Sequence, residues 1–328
     1  MSLQTPASEK YLELSDGRTL AYAESGNSSS SILVIFFHGM FGIGVTSKSK
    51  TSNKVLLEKD VHYISPTLPG WGASSPRNKD KPYYAGLASD ITALIDHLHP
   101  HDLNLKIYVS GGSFGTVPAQ MLYGAPFDVF PYGRYLAGCM LLAPFSPPRF
   151  HADYMKAMTM GNYIALGPPS QYIPFKLVLR LTAFIIHRKV HTLEGAEQFI
   201  RSNIFDPMKE EERAAFKTWQ EDNEKVDGQV EREFAENMMK SVQYTWEGCM
   251  ETADVVHGDW GFNPALLDEE HNKRPILLVA ADGDTMAPDA NAKWLAASYK
   301  NSRYRSISGG HLAGMYHMND LWRQLLEF

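Results

Sequence analysis

Residues 107–119 read Ile-Tyr-Val-Ser-Gly-Gly-Ser-Phe-Gly-Thr-Val-Pro-Ala, and this order decides the fold. A short run with β-branched residues favours a strand, the glycines that follow mark a sharp turn, and the segment beyond is compatible with a helix. The frame Gly111-Gly112-Ser113-Phe114-Gly115 fits G-x-S-x-G, in which a serine is held on a strained turn between strand and helix. A side chain two residues before or after Ser113 would collide with the neighbouring strand or helix, so those positions ask for glycine. The turn aims the serine hydroxyl beside the first free N–H groups of a helix, where negative charge is favoured. A tight strand-to-helix connection alone can contain the same frame, so the surrounding chain has to decide.

Working outward, residues 11–14 and 20–23 are short alternating segments around Ser15-Asp16-Gly17-Arg18, which predicts an antiparallel hairpin. Residues 31–37, Ser-Ile-Leu-Val-Ile-Phe-Phe, are apolar on both faces and predict a central strand of a parallel sheet. That strand ends at His38-Gly39-Met40-Phe41-Gly42. A buried run at 61–64 leads into Pro66-Thr67-Leu68-Pro69-Gly70-Trp71-Gly72, a loop. Residues 87–98 carry apolar side chains at helical spacing and stop at His99-Pro100. After Ser113, residues 135–142 predict another strand, closed by Ala143 to Pro148. The alternation of strand and helix makes this an α/β fold with a mostly parallel central sheet flanked by helices.

The alternation then stops. From about 149 to 262 the pattern is helical and loop-like, rich in Met and aromatics early (Tyr154, Met155, Met158, Met160, Tyr163) and highly charged later. Asp206-Pro207 reads as an N-cap followed by proline, with Glu210, Glu211 and Glu212 near the positive end of that helix and on a solvated face. Residues 229–244 predict an amphipathic helix. The most apolar part, 174–186, is interrupted by Lys176 and Arg180; it reads as a core-facing helix, with contact to a membrane surface as the alternative. Strand character returns at 275–280, followed by Asp282-Gly283-Asp284, a helix over 289–299, a strand over 303–307, Ser308-Gly309-Gly310-His311 and a last helix to Phe328. The chain therefore divides into a sheet domain, 1–148 with 263–328, and an inserted helical cap, 149–262.

Composition excludes several classes. Of 328 residues, 44% are hydrophobic and 21% charged, which suits a globular protein rather than a disordered one. The net charge of −6 and the absence of a basic cluster beyond Lys48, Lys50 and Lys54, read as a solvated helix face, argue against nucleic acid as a partner. Cys139 and Cys249 are isolated, so neither a disulfide framework nor a metal site is expected, and both thiols should be buried and inert. Residues 1–10 lack the apolar core of a secretory signal and no run approaches the length of a membrane span, so a cytoplasmic protein without stable membrane insertion is the expectation. Oligomeric state is not written in these features.

At this point the sequence resembles an α/β-hydrolase of the G-x-S-x-G type with a helical cap. The resemblance rests on four motifs in order, His38-Gly39, Ser113, Asp284 and His311, each following a predicted strand. It implies the α/β-hydrolase fold and a Ser-His-Asp triad with no cofactor or metal. Ser113 would be the nucleophile, His311 the base whose pKa lets it accept and return a proton, and Asp284 the acid that fixes its tautomer. The backbone N–H groups of Phe114 and Met40 would form the oxyanion hole. Counting back from Pro288 selects Asp284, with Asp282 as its competitor, and His311 after two glycines is preferred to His317. Thr67 stands where the family often has aspartate. The implied reaction is cleavage of a carboxylic ester, thioester, lactone or amide of a small, apolar substrate through an acyl-enzyme, with Tyr154, Met155 and Met158 as candidate substrate contacts. Alternatives under the same fold are an aminopeptidase similar to prolyl iminopeptidases, a lyase, and a ligand receptor without catalysis.

Overall fold

The chain, in a computed structural model describing residues 9–47, 49, 51–100, 104–156 and 158–327, is organised on one eight-stranded sheet. Its strands are β1 (Lys10–Glu13), β2 (Thr19–Gly26), β3 (Ile32–Phe37), β4 (His62–Pro66), β5 (Lys106–Gly112), β6 (Leu136–Leu142), β7 (Ile276–Ala281) and β8 (Ser302–Ile307), in the spatial order β1-β2-β4-β3-β5-β6-β7-β8. The first two are the expected hairpin, and β2 also runs antiparallel to β4; every other neighbouring pair is parallel. Leu33, Val34, Ile35 and Phe37 of β3 are fully buried, as are all side chains of β7 to within a few per cent. Two-sided burial is what near-continuous apolar runs require of a parallel sheet covered by helices.

The helices are α1 (Lys54–Glu58), α2 (Tyr83–Leu98), α3 (Thr116–Gly124), α4 (Met160–Leu166), α5 (Pro168–Tyr172), α6 (Leu177–Lys189), α7 (Leu193–Ile200), α8 (Glu210–Asp222), α9 (Gln229–Ser241), α10 (Glu247–His257), α11 (Glu269–Asn272), α12 (Asp289–Ser298) and α13 (Met318–Leu326). One core lies between the sheet and α2, α3 and α12, and the helix α10 contributes Cys249, Val255 and Val256 to it. A second lies on the other face, closed by Leu321, Trp322 and Leu325 of α13. A third is built on the helices that intervene between β6 and β7, from Ile186 to Met238, and among the described residues its apolar contacts to the sheet side are Phe41, Leu312, Met315 and Tyr316.

Three expectations need correction. The helix expected after Asp206-Pro207 starts at Glu210 with Lys209 as its N-cap, because Phe205 and Met208 are anchored in the third core and fold the intervening residues into a turn. Glu212 does not share a solvated face with Glu210 and Glu211: it is 9% exposed, on the same stripe as Phe216 and Gln220. The segment 174–186 is not simply core-facing, since Leu179 and Ile186 point inward while Phe175, Leu177, Leu181, Phe184 and Ile185 are exposed. Both cysteines are buried and free, and burial raises their thiol pKa values, that of Cys249 to about 12. Lys54 opens α1 and is 65% exposed. Lys48 and Lys50, like residues 1–8 and Phe328, lie outside the described residues.

Candidate active site

The turn after β5 is built by sterics. Ser113 has φ 53°, in the left-handed region that a side chain adopts only under constraint. A Cβ on Gly111 would lie 2.1 Å from the carbonyl oxygen of Gly115, and one on Gly115 would lie 2.1 Å from that of Phe37, so both positions require hydrogen there. Gly112 is different, with its nearest neighbour a ring carbon of Phe36 at 3.6 Å. Residues Ser113–Gly115 form a short 3-10 turn that leads into α3, so the N–H of Phe114 belongs to a first turn and has no helical acceptor. Beneath it, Thr116 Oγ1 donates to the Ser113 carbonyl at 2.6 Å and accepts from the N–H of Phe145, while Gln120 Nε2 donates to the carbonyls of Thr116 and Phe145. These bonds tie the Ser113 turn to the loop after β6. No pattern in the sequence separates Thr116 and Gln120 from ordinary helix residues.

His38-Gly39 ends β3, which is paired in register with β5 so that Phe37 lies opposite Gly111. The His38 ring is wedged between two backbone groups: Nδ1 donates to the Gly39 carbonyl at 2.7 Å and Nε2 accepts from the N–H of Leu68 at 2.9 Å. Complete burial pushes its pKa down to about 4, so the ring is a neutral brace. It holds Gly39 against Ser113: a Cβ there would meet Ser113 Cβ at 3.4 Å and Oγ at 3.9 Å. Met40 follows, partly buried, and then Phe41, whose φ of 56° turns its ring edge-on to Trp71 with centroids 5.4 Å apart. Thr67 accepts from the N–H of Gly44 through Oγ1 at 2.9 Å, a bracing bond across the same pair of loops.

The loops after β7 and β8 bring two more groups together. His311 Nδ1 is 2.7 Å from Asp284 Oδ2, with the carboxylate fully shielded from solvent and the ring 14% exposed. The other carboxylate oxygen, Oδ1, accepts from the N–H groups of Met286 at 2.8 Å and Ala287 at 3.0 Å, so Asp284 is fixed in orientation. Burial pushes the His311 pKa down, but the charge of Asp284 and the hydrogen bond to it outweigh burial, and the net direction is up from the ordinary 6.5. Asp282 serves the backbone instead, since its Oδ1 accepts from the N–H of Gly309 at 3.1 Å, and the N–H of Gly283 bonds to the Gly309 carbonyl at 2.9 Å. One aspartate holds the loop and the other holds the ring. His317 ends the turn Ala313–His317 and caps α13, away from this pair in the hydrogen-bond network. Ser113, Asp284 and His311 thus all stand just past the C-terminal ends of parallel strands. Among the described residues no hydrogen bond joins Ser113 Oγ to His311 Nε2, and in unliganded sites such bonds are often longer than in the reacting complex.

The three candidate substrate contacts pack elsewhere as well. Tyr154 is buried with its hydroxyl 3.4 Å from His257 Nε2, the Met155 methyl fills the space over Gly167, and Met158 is half-buried against the main core. What sequence reasoning missed is Glu212. Its carboxylate carbon would stand 3.2 Å from a Cβ on Gly309, and its oxygens 3.2 and 3.3 Å from one on Gly310, so a carboxylate from α8 lies directly on the loop that carries His311. A signal was present: Glu212 is in helical phase with Phe216 and Gln220, and the flanking glutamates concealed it.

Known proteins share this architecture. A model of the alpha/beta hydrolase family matches residues 34–323. Among solved structures, a hydrolase from Pseudomonas aeruginosa PA01 is similar with TM-score 0.63 and 19% identity, covering 98% of each chain. A thermophilic esterase from Thermogutta terrifontis has TM-score 0.53 and 18% identity over 98% of this chain and 97% of that one. A bromoperoxidase from Bacillus anthracis has TM-score 0.59 and 15% identity over 98% of this chain and all of its own. None of the curated proteins compared with the chain matches it. Identities at this level speak to the shared fold.

Proposed function

We propose, for a chain that belongs to the alpha/beta hydrolase family, that it is a serine hydrolase cleaving a carboxylic ester of a small apolar substrate through an acyl-enzyme. The observation that carries this reading is the Asp284–His311 bond of 2.7 Å at the same sheet edge as a serine held at positive φ. In the proposed reaction Ser113 Oγ attacks the ester carbonyl while His311 Nε2 takes its proton; the carbonyl π electrons move to oxygen, and the N–H groups of Met40 and Phe114 hold that oxyanion. Collapse breaks the bond to the alkoxide, which leaves with the proton from His311, and water then repeats the steps to free the acid. Asp284 keeps the Nδ1–H tautomer and stabilises the imidazolium. Residues 149–262 would act as the cap that shapes the substrate pocket. A fluorophosphonate should label Ser113 alone in the wild type, and Ser113→Ala should lose both labelling and ester turnover; labelling elsewhere overturns the assignment.

One observation favours a second reading. Glu212, a buried carboxylate against Gly309 and Gly310, with no ion pair among the described residues, is suited to hold a substrate ammonium, as an aminopeptidase similar to prolyl iminopeptidases would require. Proline p-nitroanilide and p-nitrophenyl butyrate compared in wild type and Glu212→Gln separate the two. The aminopeptidase reading requires the anilide to be the better substrate and the substitution to raise its KM; the esterase reading requires the reverse preference.

A further inference from the structure

The outer face of α6 is apolar without being covered. Leu177, Leu181 and Phe184 recur at spacings of four and three residues and are 57–60% exposed, with Ile185 beside them at 47%. The opposite stripe, Leu179, Ile186 and Val190, is buried. A helix apolar on both stripes has one face too many for a protein in water. Exposed apolar residues continue in the preceding turn, where Phe175 is 83% exposed, at the end of α5, where Tyr172 is 78% exposed, and on α4, which packs against α6 and exposes Met160, Tyr163 and Ile164. Phe175 and Lys176 are both in the left-handed region, with φ of 61° and 54°. The chain thus holds an unfavourable backbone while the Phe175 ring stands in water.

Charge identifies what covers this face. Between Asp153 and Glu194 there is no acidic residue, while Lys156, Lys176, Arg180, Arg188 and Lys189 fall in the same interval of a chain whose net charge is −6. Lys176 is paired with Asp254 at 2.6 Å. Arg180, Arg188 and Lys189 are exposed and form no ion pair among the described residues; Arg188 lies over the ring of Phe184 and Lys189 over that of Phe199. Exposed aromatics and aliphatics ringed by cations are what an anionic lipid interface accepts, with rings entering the acyl boundary and cations meeting the headgroups. A second copy fits less well, since a two-fold contact of this face with itself would bring Arg180, Arg188 and Lys189 of both copies into one interface, and the interval between Asp153 and Glu194 supplies no acidic residue to answer them.

The face is also close to the chemistry. His187 of α6 meets Trp246 with centroids 5.7 Å apart, and Trp246 meets Phe41, the neighbour of Met40, at 6.3 Å. Asn162 of α4 donates to the carbonyl of Thr285, the residue after Asp284. We propose that α6, the turn before it and α4 dock the protein on an anionic lipid surface and, resting on the serine-hydrolase reading, that its ester substrate is taken from that surface.

Flotation of the full chain with vesicles of equimolar phosphatidylcholine and phosphatidylserine tests the docking without any appeal to catalysis. Binding should be strong there, weak on pure phosphatidylcholine and reduced by salt. Arg180→Glu with Arg188→Glu should lower it by at least about tenfold, and Phe175→Ser with Phe184→Ser should do the same, each variant melting like the wild type. Absence of binding to the anionic vesicles, binding indifferent to both pairs of substitutions, or apolar variants that only abolish self-association in light scattering overturns the docking face. Turnover of a water-soluble short ester should be unchanged in these variants while turnover of a long-chain ester dissolved in anionic vesicles falls. If neither ester is turned over yet flotation behaves as stated, the hydrolase reading fails and the docking face stands.

Discussion

At the residue scale, the two carboxylates after β7 have separable roles, and this gives a ranking. Asp284→Asn should cut ester turnover by about 10⁴-fold, since the ring would lose the partner that fixes its tautomer, whereas Asp282→Asn should lower melting temperature with a small loss of rate. Steady-state kinetics on both variants check this, and the reverse order moves the triad acid to Asp282. Because His311, as the proposed base, would act only when neutral, and its pKa lies above the ordinary value, the acid limb of kcat/KM should have its midpoint above about 6.5. In Asp284→Asn the midpoint should fall, because the charge that holds the proton is gone. His38 works in the opposite sense. Its folded pKa of about 4 is below the unfolded value, so between the two the unfolded chain binds the extra proton and stability declines as pH drops from about 6.5 towards 4, by about 1.4 kcal/mol per unit at most. Urea unfolding at pH 7 and pH 5 should therefore show a smaller acid loss in His38→Gln than in the wild type. The pairing of Asp284 with His311 was partly legible in the sequence. Spacing to Pro288 picked Asp284 from Asp282, and two glycines picked His311 from His317. The bracing role of Asp282 was hidden because its partner, Gly309, is brought to it only by the pairing of β7 with β8.

At the scale of elements, the turn after β5 supports a prediction about glycine. Gly115→Ala must push apart β3 and the turn, where the new carbon would sit 2.1 Å from a backbone oxygen, and should destabilise by about 3 kcal/mol. Gly112→Ala meets nothing nearer than 3.6 Å and should cost no more than about 1 kcal/mol. Denaturant unfolding distinguishes them, and equal losses contradict the steric account. The strands and the order of motifs were readable because two-sided burial writes long apolar runs and because the loops after β3, β6, β7 and β8 carry glycine or proline at their second position, Gly39, Pro144, Gly283 and Gly309. Helix starts were less so. Asp206-Pro207 carries a good start signal, yet burial of Phe205 and Met208 outweighed it, and a cap is worth only about 1 kcal/mol against two buried side chains. Tyr154 and Met158 show the same limit, since a Met- and aromatic-rich stretch describes a pocket wall and a packing layer equally well. Met155→Ala with Met158→Ala should lower melting temperature through lost packing, and a change in acyl-length preference beyond that would mark a substrate wall.

At the scale of the molecule, the three apolar cores are unequal. The core running from Ile186 to Met238 meets the sheet side at only a few residues, so α7, α8 and α9 should open as a unit at lower free energy than the central strands. Hydrogen exchange read by mass spectrometry should find amides of α8 and α9 exchanging well before those of β3, β5 and β6, and equal protection would mean a single cooperative body. Opening would also lift Glu212 away from Gly309 and Gly310. How these helices sit on the sheet was not legible in the sequence, because their contacts to it pass through a few scattered positions such as Phe41 and Leu312. The division of the proposed triad along the chain has a consequence in time. His311 follows Ser113 by 198 positions, the difference of their numbers, and at about 5–20 residues per second the ribosome delivers the histidine some 10–40 s after the serine. Throughout that interval a nascent chain carries the proposed nucleophile without its proposed base, so on that reading the polypeptide would stay hydrolytically silent until the sheet that would aim the two groups is complete.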